Sequence, residues 1–328
     1  MGPTDAVRAL HTPYVVGKDS EKHADIQIIR RLDGSIVAAF SVRGFFDHFR
    51  ARVAEDSMRA STHFQEEPVS AAAADQLSLK ARFLGKFELF CNGEEIVPSR
   101  CGKALAILKY LLAHRDGSVS QDHLMGWLWP ESDLKRARWA LNTAIYRMRK
   151  LLDCCPSSTP VTYILLEEGY YRLNPTVRVE TDVDEFAACY EQGLKLARAD
   201  RMPEAIAEYE KAIEVYRDDY LVEDLSEGWT IVERERLLSE YINMLDQLTA
   251  YYCSAARYQE SLHYCYRLLE KDPFLDRVHG RVMECYGCLG MPARASSHYQ
   301  HHQHMLRREL GKNPSPELQH LHRKILSK

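Results

Sequence analysis

Three textures of hydrophobic spacing succeed one another along the chain. The first is alternation: Ile26 to Leu32 and Ser35 to Phe40 flank Asp33-Gly34, a dipeptide that readily adopts positive φ, so the stretch predicts a β-hairpin. Phe45, Phe46, Phe49 and Val53 follow at helical steps and predict a short helix. Glu66 to Asp75, with Pro68 and four alanines, reads as linker. The expected N-terminal part is thus a hairpin-plus-helix unit over 1–57 and a linker over 58–76, with no chemistry of its own.

The second texture mixes periods. Leu79, Ala81, Phe83, Phe87 and Leu89 alternate with polar positions, and Asn92-Gly93 turns the chain into Glu95-Ile96-Val97, giving a small antiparallel sheet. Ala104, Leu105, Leu108, Leu111 and Leu112 then form a helical stripe expected to end at Gly117. A second helix follows Ser120 and runs through Leu124, Trp127 and Leu128 to Pro130. A third, capped by Ser132 or Asp133, continues to Leu152. Val161 to Leu166 and Tyr170 to Leu173 are short strands around Glu167-Glu168-Gly169. Sheet, three helices and terminal hairpin, in that order over 77–174, is the layout of a winged helix-turn-helix.

The third texture, over 175–328, is helical and repetitive from Thr181. Ala205 with Tyr209, Ser261 with Cys265 and Ala295 with Tyr299 recur as small residue plus partner four positions on. The step from Ser261 to Ala295 is the 34-residue tetratricopeptide period, whereas the longer step from Ala205 implies an elongated helix between. Pro273 falls where such a repeat ends a helix. The fold class expected is therefore mainly α: a winged helix-turn-helix (α+β) followed by an all-α tetratricopeptide-like array, with a small N-terminal β-hairpin/helix extension.

Composition changes this picture only through charge. The chain of 328 residues has net charge −4, which divides into −2 over 1–76, +4 over 77–174 and −6 over 175–328. Only the middle segment suits a polyanion; the array suits proteins. No apolar run approaches the roughly 18 residues of a membrane span, and Asp5 and Arg8 interrupt the start where an export signal would be apolar. The nine scattered cysteines then read as reduced thiols, and the expected location is the cytoplasm, away from membranes.

The helix from Asp133 to Leu152 carries the most chemistry. Ala137, Leu141, Ala144, Ile145, Met148 and Leu152 share a face that must be core. Between the flanking aspartates lie Lys135, Arg136, Arg138, Arg147, Arg149 and Lys150, with no acid. Arg138, Asn142, Tyr146 and Arg149 are expected on a line opposite the core. Arg carries a fork of donors that reads the guanine edge, Asn an amide donor and acceptor that read the adenine edge, and Lys and outlying Arg suit phosphates. The wing tip is acidic, at Glu167 and Glu168, so minor-groove contact would fall to Arg172 or Tyr163. Trp127 and Trp129 read as packing residues.

Several stretches together resemble a known family. They are Phe83-Leu84-Gly85-Lys86-Phe87-Glu88-Leu89, Lys103 to Leu108, Leu128-Trp129-Pro130, Tyr146 to Leu152, Gly169-Tyr170-Tyr171-Arg172-Leu173, Thr181 to Phe186 and Glu309 to Leu318. In that order they resemble the response-regulator-type winged helix and bacterial transcriptional activator domain of the Streptomyces antibiotic regulatory protein (SARP) family, over about three quarters of the chain. The resemblance implies a sequence-specific activator that binds direct repeats in promoter double-stranded DNA, associates with itself there and recruits RNA polymerase. It makes Arg138, Asn142, Thr143 and Tyr146 candidate base readers and Lys135, Arg136, Arg147, Arg149, Lys150 and Arg172 candidate phosphate contacts. Arg147 and Arg149 have an equal alternative use, anchoring the helix to its own domain. Residues 1–76 have no counterpart in the minimal family architecture.

Two other function classes compete. One is a protein-interaction adaptor in which the winged helix meets protein. The other is a metal-dependent sensor or enzyme built on Cys285-x-x-Cys288 and on His298, His301, His302 and His304; no partner set at zinc spacing accompanies them, and packing and a polar helix face account for them. Gly102-Lys103 lacks the upstream glycine of a phosphate-binding loop, and no hydrolase or metalloprotease motif occurs. Neither cofactor nor catalysis is expected.

Overall fold

The structure, a computed structural model, describes residues 15–17, 26–30, 36–41, 78–97, 102–153 and 162–327. Chain contacts divide it into two units, Met1–Ala72 and Ala73–Lys328.

In the first unit, β1 (Val15–Gly17), β2 (Ile26–Arg30) and β3 (Ile36–Ser41) form one antiparallel sheet in the order β1-β2-β3. The β2–β3 pairing is the hairpin the alternation predicts, with a register shift at Ile29/Arg30. β1 is new; three residues are too few to show a period. The helix expected at Phe45–Val53 and the linker expected over 58–76 lie outside the described residues.

The second unit opens with β4 (Ser78–Arg82), β5 (Glu88–Cys91) and β6 (Glu94–Ile96). Asn92 and Gly93 both take positive φ, 48° and 88°, which matches the right-handed twist of the strands they join. Helix α1 (Gly102–Ala113) buries Ala104, Ile107, Leu108, Leu111 and Leu112. It stops before the expected Gly117, whose N–H closes a further turn on the His114 carbonyl at 2.9 Å. Strand β7 (Val119–Ser120) leads into α2 (Gln121–Leu128), whose N-terminus Ser120 caps by accepting from the His123 N–H at 3.1 Å. Then come α3 (Leu134–Leu152), β8 (Ile164–Glu167) and β9 (Tyr170–Leu173). The wing tip repeats the first turn's solution, with positive φ at Glu168 and Gly169.

One strand was not legible in the sequence. β10 (Arg178–Thr181) runs parallel to β4, Arg178 facing Ser78 and Thr181 facing Ala81, and completes a sheet ordered β10-β4-β5-β6. It delivers Asp182 to the β4–β5 connection, where the carboxylate accepts from the Phe83 N–H at 2.7 Å and the Leu84 N–H at 3.0 Å. Burial pushes the Asp182 carboxyl up, and those two N–H groups with Arg217 pull it back.

The remaining chain is helical: α4 (Asp182–Arg198), α5 (Met202–Val215), α6 (Gly228–Ser254), α7 (Tyr258–Lys271), α8 (Asp276–Cys288), α9 (Pro292–Leu310) and α10 (Pro316–Leu326). The 27-residue α6 is the elongated helix that the irregular repeat step implies. Ala205, Ser261 and Ala295 are wholly buried where helices pair. At Gly193 a Cβ would stand 2.3 Å from Tyr209 Cε1, so α4 and α5 approach as only glycine allows. No helix among the described residues is long and apolar enough to cross a membrane.

Winged helix and array meet within this one unit. Lys109 of α1, 5% exposed, bonds Asp224 at 2.5 Å; Trp127 of α2 donates to Glu227 at 2.9 Å; Arg115 pairs with Asp184 at 2.7 Å. Tyr110, His114 and Trp127 pack their rings on Trp229.

Candidate nucleic-acid interface

Asp133 starts α3 by accepting from the Arg136 N–H at 2.9 Å. The six residues predicted as core, Ala137, Leu141, Ala144, Ile145, Met148 and Leu152, are the buried ones. At about 100° per residue, that stripe fixes where every other side chain lies. Trp139, Tyr146 and Lys150 form the crest directly opposite the core, with Lys135 beside them. Arg138, Asn142 and Arg149 lie along one flank rather than on the crest expected from spacing, and Arg147 lies on the other.

The six cations of α3 divide by what they already hold. Arg149 donates to the Ile164 carbonyl of β8 at 3.0 Å, fastening helix to wing. Arg136 pairs with Asp133 at 3.2 Å and Lys150 with Asp153 at 3.7 Å, both in the open. Lys135, Arg138 and Arg147, together with Asn142 and Tyr146, make no side-chain hydrogen bond or ion pair with another described residue. Thr143 turns its hydroxyl back to the Trp139 carbonyl at 2.9 Å.

On the wing, Arg172 is paired with Glu167 at 2.9 Å, while its Nε is buried without a partner. Tyr163 is in the core, its hydroxyl 3.8 Å from Cys91 Sγ. The tip presents Glu167 and Glu168 between half-exposed Leu166 and Tyr170. Trp127 and Trp129 pack against the core, Trp129 under the Lys103 ammonium at 4.7 Å. The side-chain bonds that join winged helix to array come from β5, the β4–β5 connection, α1 with the turn that follows it, and α2; among the described residues α3 contributes none.

Trp139 is a surface residue not among the candidates named from the sequence. It is 72% exposed at the centre of the crest, and its spacing carries the signal: with Tyr146 it is a large aromatic of the helix interior that neither belongs to the core stripe nor neighbours it.

The Cys and His groups of the array are placed differently from expectation. His302 is not on a polar face but fully buried, bonded to Asp276 at 2.5 Å and stacked on His279 at 3.6 Å. His279 Nδ1 lies 2.8 Å from His298 Nε2, and burial pushes both of these imidazoles down to about 4. Cys285 is buried 3.9 Å from Cys253, Cys288 is exposed, and burial raises the thiols of Cys253 and Cys285. Among the described residues no group of three or more His, Cys, Asp or Glu is arranged to hold a metal ion.

Known proteins share this architecture. Residues 181–326 match the bacterial transcriptional activator domain. Transcriptional regulatory protein MoaR1, from Mycobacterium bovis and from Mycobacterium tuberculosis, is 27% identical over 244 residues, 74% of this chain and 78% of MoaR1. A solved structure of Mycobacterium tuberculosis EmbR, in complex with a low affinity phosphopeptide, superposes with a TM-score of 0.60 at 21% identity, covering 76% of this chain. The likeness spans 65% of EmbR, less than two thirds of its length, and is a likeness of fold.

Proposed function

We propose that this chain, a SARP-like transcription regulator, binds promoter DNA by laying α3 in the major groove and acts as an activator. One observation carries the reading. The exposed face of α3 carries no acid, Lys135, Arg138, Arg147 and Asn142 on it make no side-chain hydrogen bond or ion pair with another described residue, and among the described residues α3 contributes no side-chain bond to the junction with the array. Arg138 and Asn142, on one flank, are the forked base readers, with Tyr146 beside them on the crest and Thr143 offering its hydroxyl oxygen as acceptor. Lys135, Arg136, Arg147 and Lys150 neutralise phosphates on either side. Arg149 and Arg172 contribute less directly, because each already holds a partner within the domain.

The acidic array stays off the DNA and meets protein, RNA polymerase first, with two copies side by side on direct repeats in the cytoplasm. The acidic wing tip, flanked by Leu166 and Tyr170, belongs on that protein side too. The test is selection of genomic fragments by the full chain at two salt concentrations, followed by transcription from the selected promoter with purified polymerase. A shared motif of spaced repeats and stimulated transcription are expected. No enrichment, with protein partners still retained, would replace this reading by that of an adaptor.

A further inference from the structure

We propose that Trp139 reads the 5-methyl group of a thymine in the major groove, making this indole a determinant of sequence preference. The inference rests on the reading of α3 as the DNA-facing helix.

The chain has four tryptophans, and three of them, Trp127, Trp129 and Trp229, pack against the core. Trp139 leaves 72% of its surface in water, although burying apolar surface is favourable at roughly 25 cal/mol per Å². It stands in the second turn of α3, on the crest, with unpartnered Lys135, Arg138 and Asn142 at i−4, i−1 and i+3. No acid lies on the helix. What covers this indole must therefore be polyanionic at its edges and apolar at its centre.

The major groove meets that description at one kind of base. Thymine alone presents a methyl there; adenine, guanine and cytosine offer polar edges that an indole face would strip of water without replacing the hydrogen bonds. Thr143, the next residue on that side, spends its hydroxyl proton on the Trp139 carbonyl at 2.9 Å, so it brings no donor to a base beside the ring. Tyr146, two turns from Trp139 and 63% exposed, extends the same apolar ridge.

The experiment uses the full chain and its selected site, with each thymine in turn replaced by uracil, which removes only the methyl. At one position uracil weakens wild-type binding about fourfold, the worth of one buried methyl. Trp139→Ala binds the thymine site more weakly and no longer distinguishes uracil there; Trp139→Phe keeps part of the distinction; Arg138→Ala binds less but keeps all of it. Because Trp139 is exposed, the thermal melt of Trp139→Ala matches wild type. Uracil that costs the wild type nothing at any position, or costs Trp139→Ala as much as wild type, overturns the proposal. So does a Trp139→Ala variant that keeps DNA affinity and loses only polymerase-dependent transcription, since the ring would then face protein. If the wild type selects no site at all, the DNA reading of α3 itself has failed, which the wild type alone reveals.

Discussion

Lys109 and Arg138 sit on neighbouring helices of the same small domain and live in opposite surroundings. Lys109 is buried at the junction with the array, its ammonium 2.5 Å from Asp224 and 5.3 Å from the Phe87 ring centre. Arg138 is exposed on α3, and no described residue answers it. A cation taken out of water must be neutralised where it stands, so Lys109 belongs to the structure. A cation left open on an acid-free face is available to a ligand. The α1–α2 side of the domain is thus spent on the array, and the α3 side is free.

The sharpest way to break this contrast is to remove the free side. Arg138→Ala with Asn142→Ala should cost about 1 to 3 kcal/mol of base discrimination per contact, read as the affinity ratio between selected and scrambled DNA, with an unchanged melting temperature. Unchanged discrimination would show that the recognition face lies elsewhere. Removing the spent side should do the reverse. Lys109→Ala strands Asp224 and should lower unfolding stability by about 2 to 4 kcal/mol in urea titrations, less than for a fully buried pair because Asp224 keeps some exposure. A Lys109→Ala variant as stable as wild type would remove the distinction.

A pH titration sharpens the contrast from the array's side. His279 and His298, clustered with His302 and Asp276 and within reach of the charge of exposed His301, have imidazoles held down to about 4 chiefly by burial, against about 6.5 when unfolded. Between those values the unfolded chain binds more protons, so the array's contribution is whole above about pH 6.5 and falls as pH drops toward 4. Denaturation curves from pH 7.5 to 4.5 should show a loss of roughly 2 to 3 kcal/mol for each of the two imidazoles, and His298→Gln should about halve it. Flat stability over that range would contradict the buried cluster. The smallest effect separates two arginines of one motif. Arg149→Ala should cost about 1 kcal/mol of stability through the lost Ile164 bond, while Arg147→Ala should leave stability alone and reduce the salt slope of DNA binding by about one.

Much of this was legible in spacing. The core stripe of α3 was read residue for residue, because six apolar positions at helical steps admit a single buried face. The two turns with paired positive φ were legible through Asn92-Gly93 and Gly169. The array was legible through Ala205, Ser261 and Ala295, since close helix packing demands small residues at fixed intervals. What stayed hidden depends on residues distant in sequence. β10 pairs with a strand about a hundred residues earlier, and four residues carry no period of their own. Lys109 looks like an interruption of a hydrophobic stripe until Asp224 is beside it. His302 reads as polar until α8 and Asp276 enclose it. Arg149 showed its two uses in the sequence, and its bond to Ile164 could be found only with the wing in place.

The central claim is that the open face of α3 is a DNA surface, and the salt dependence of binding by the full chain tests it most directly. With Lys135, Arg136, Arg147 and Lys150 on phosphates, the plot of log affinity for the selected site against log salt should fall with a slope of about −3.6, near −0.9 per phosphate, and Arg147→Ala should bring it to about −2.7. A slope near zero, or one that Arg147→Ala leaves unchanged, would contradict the account.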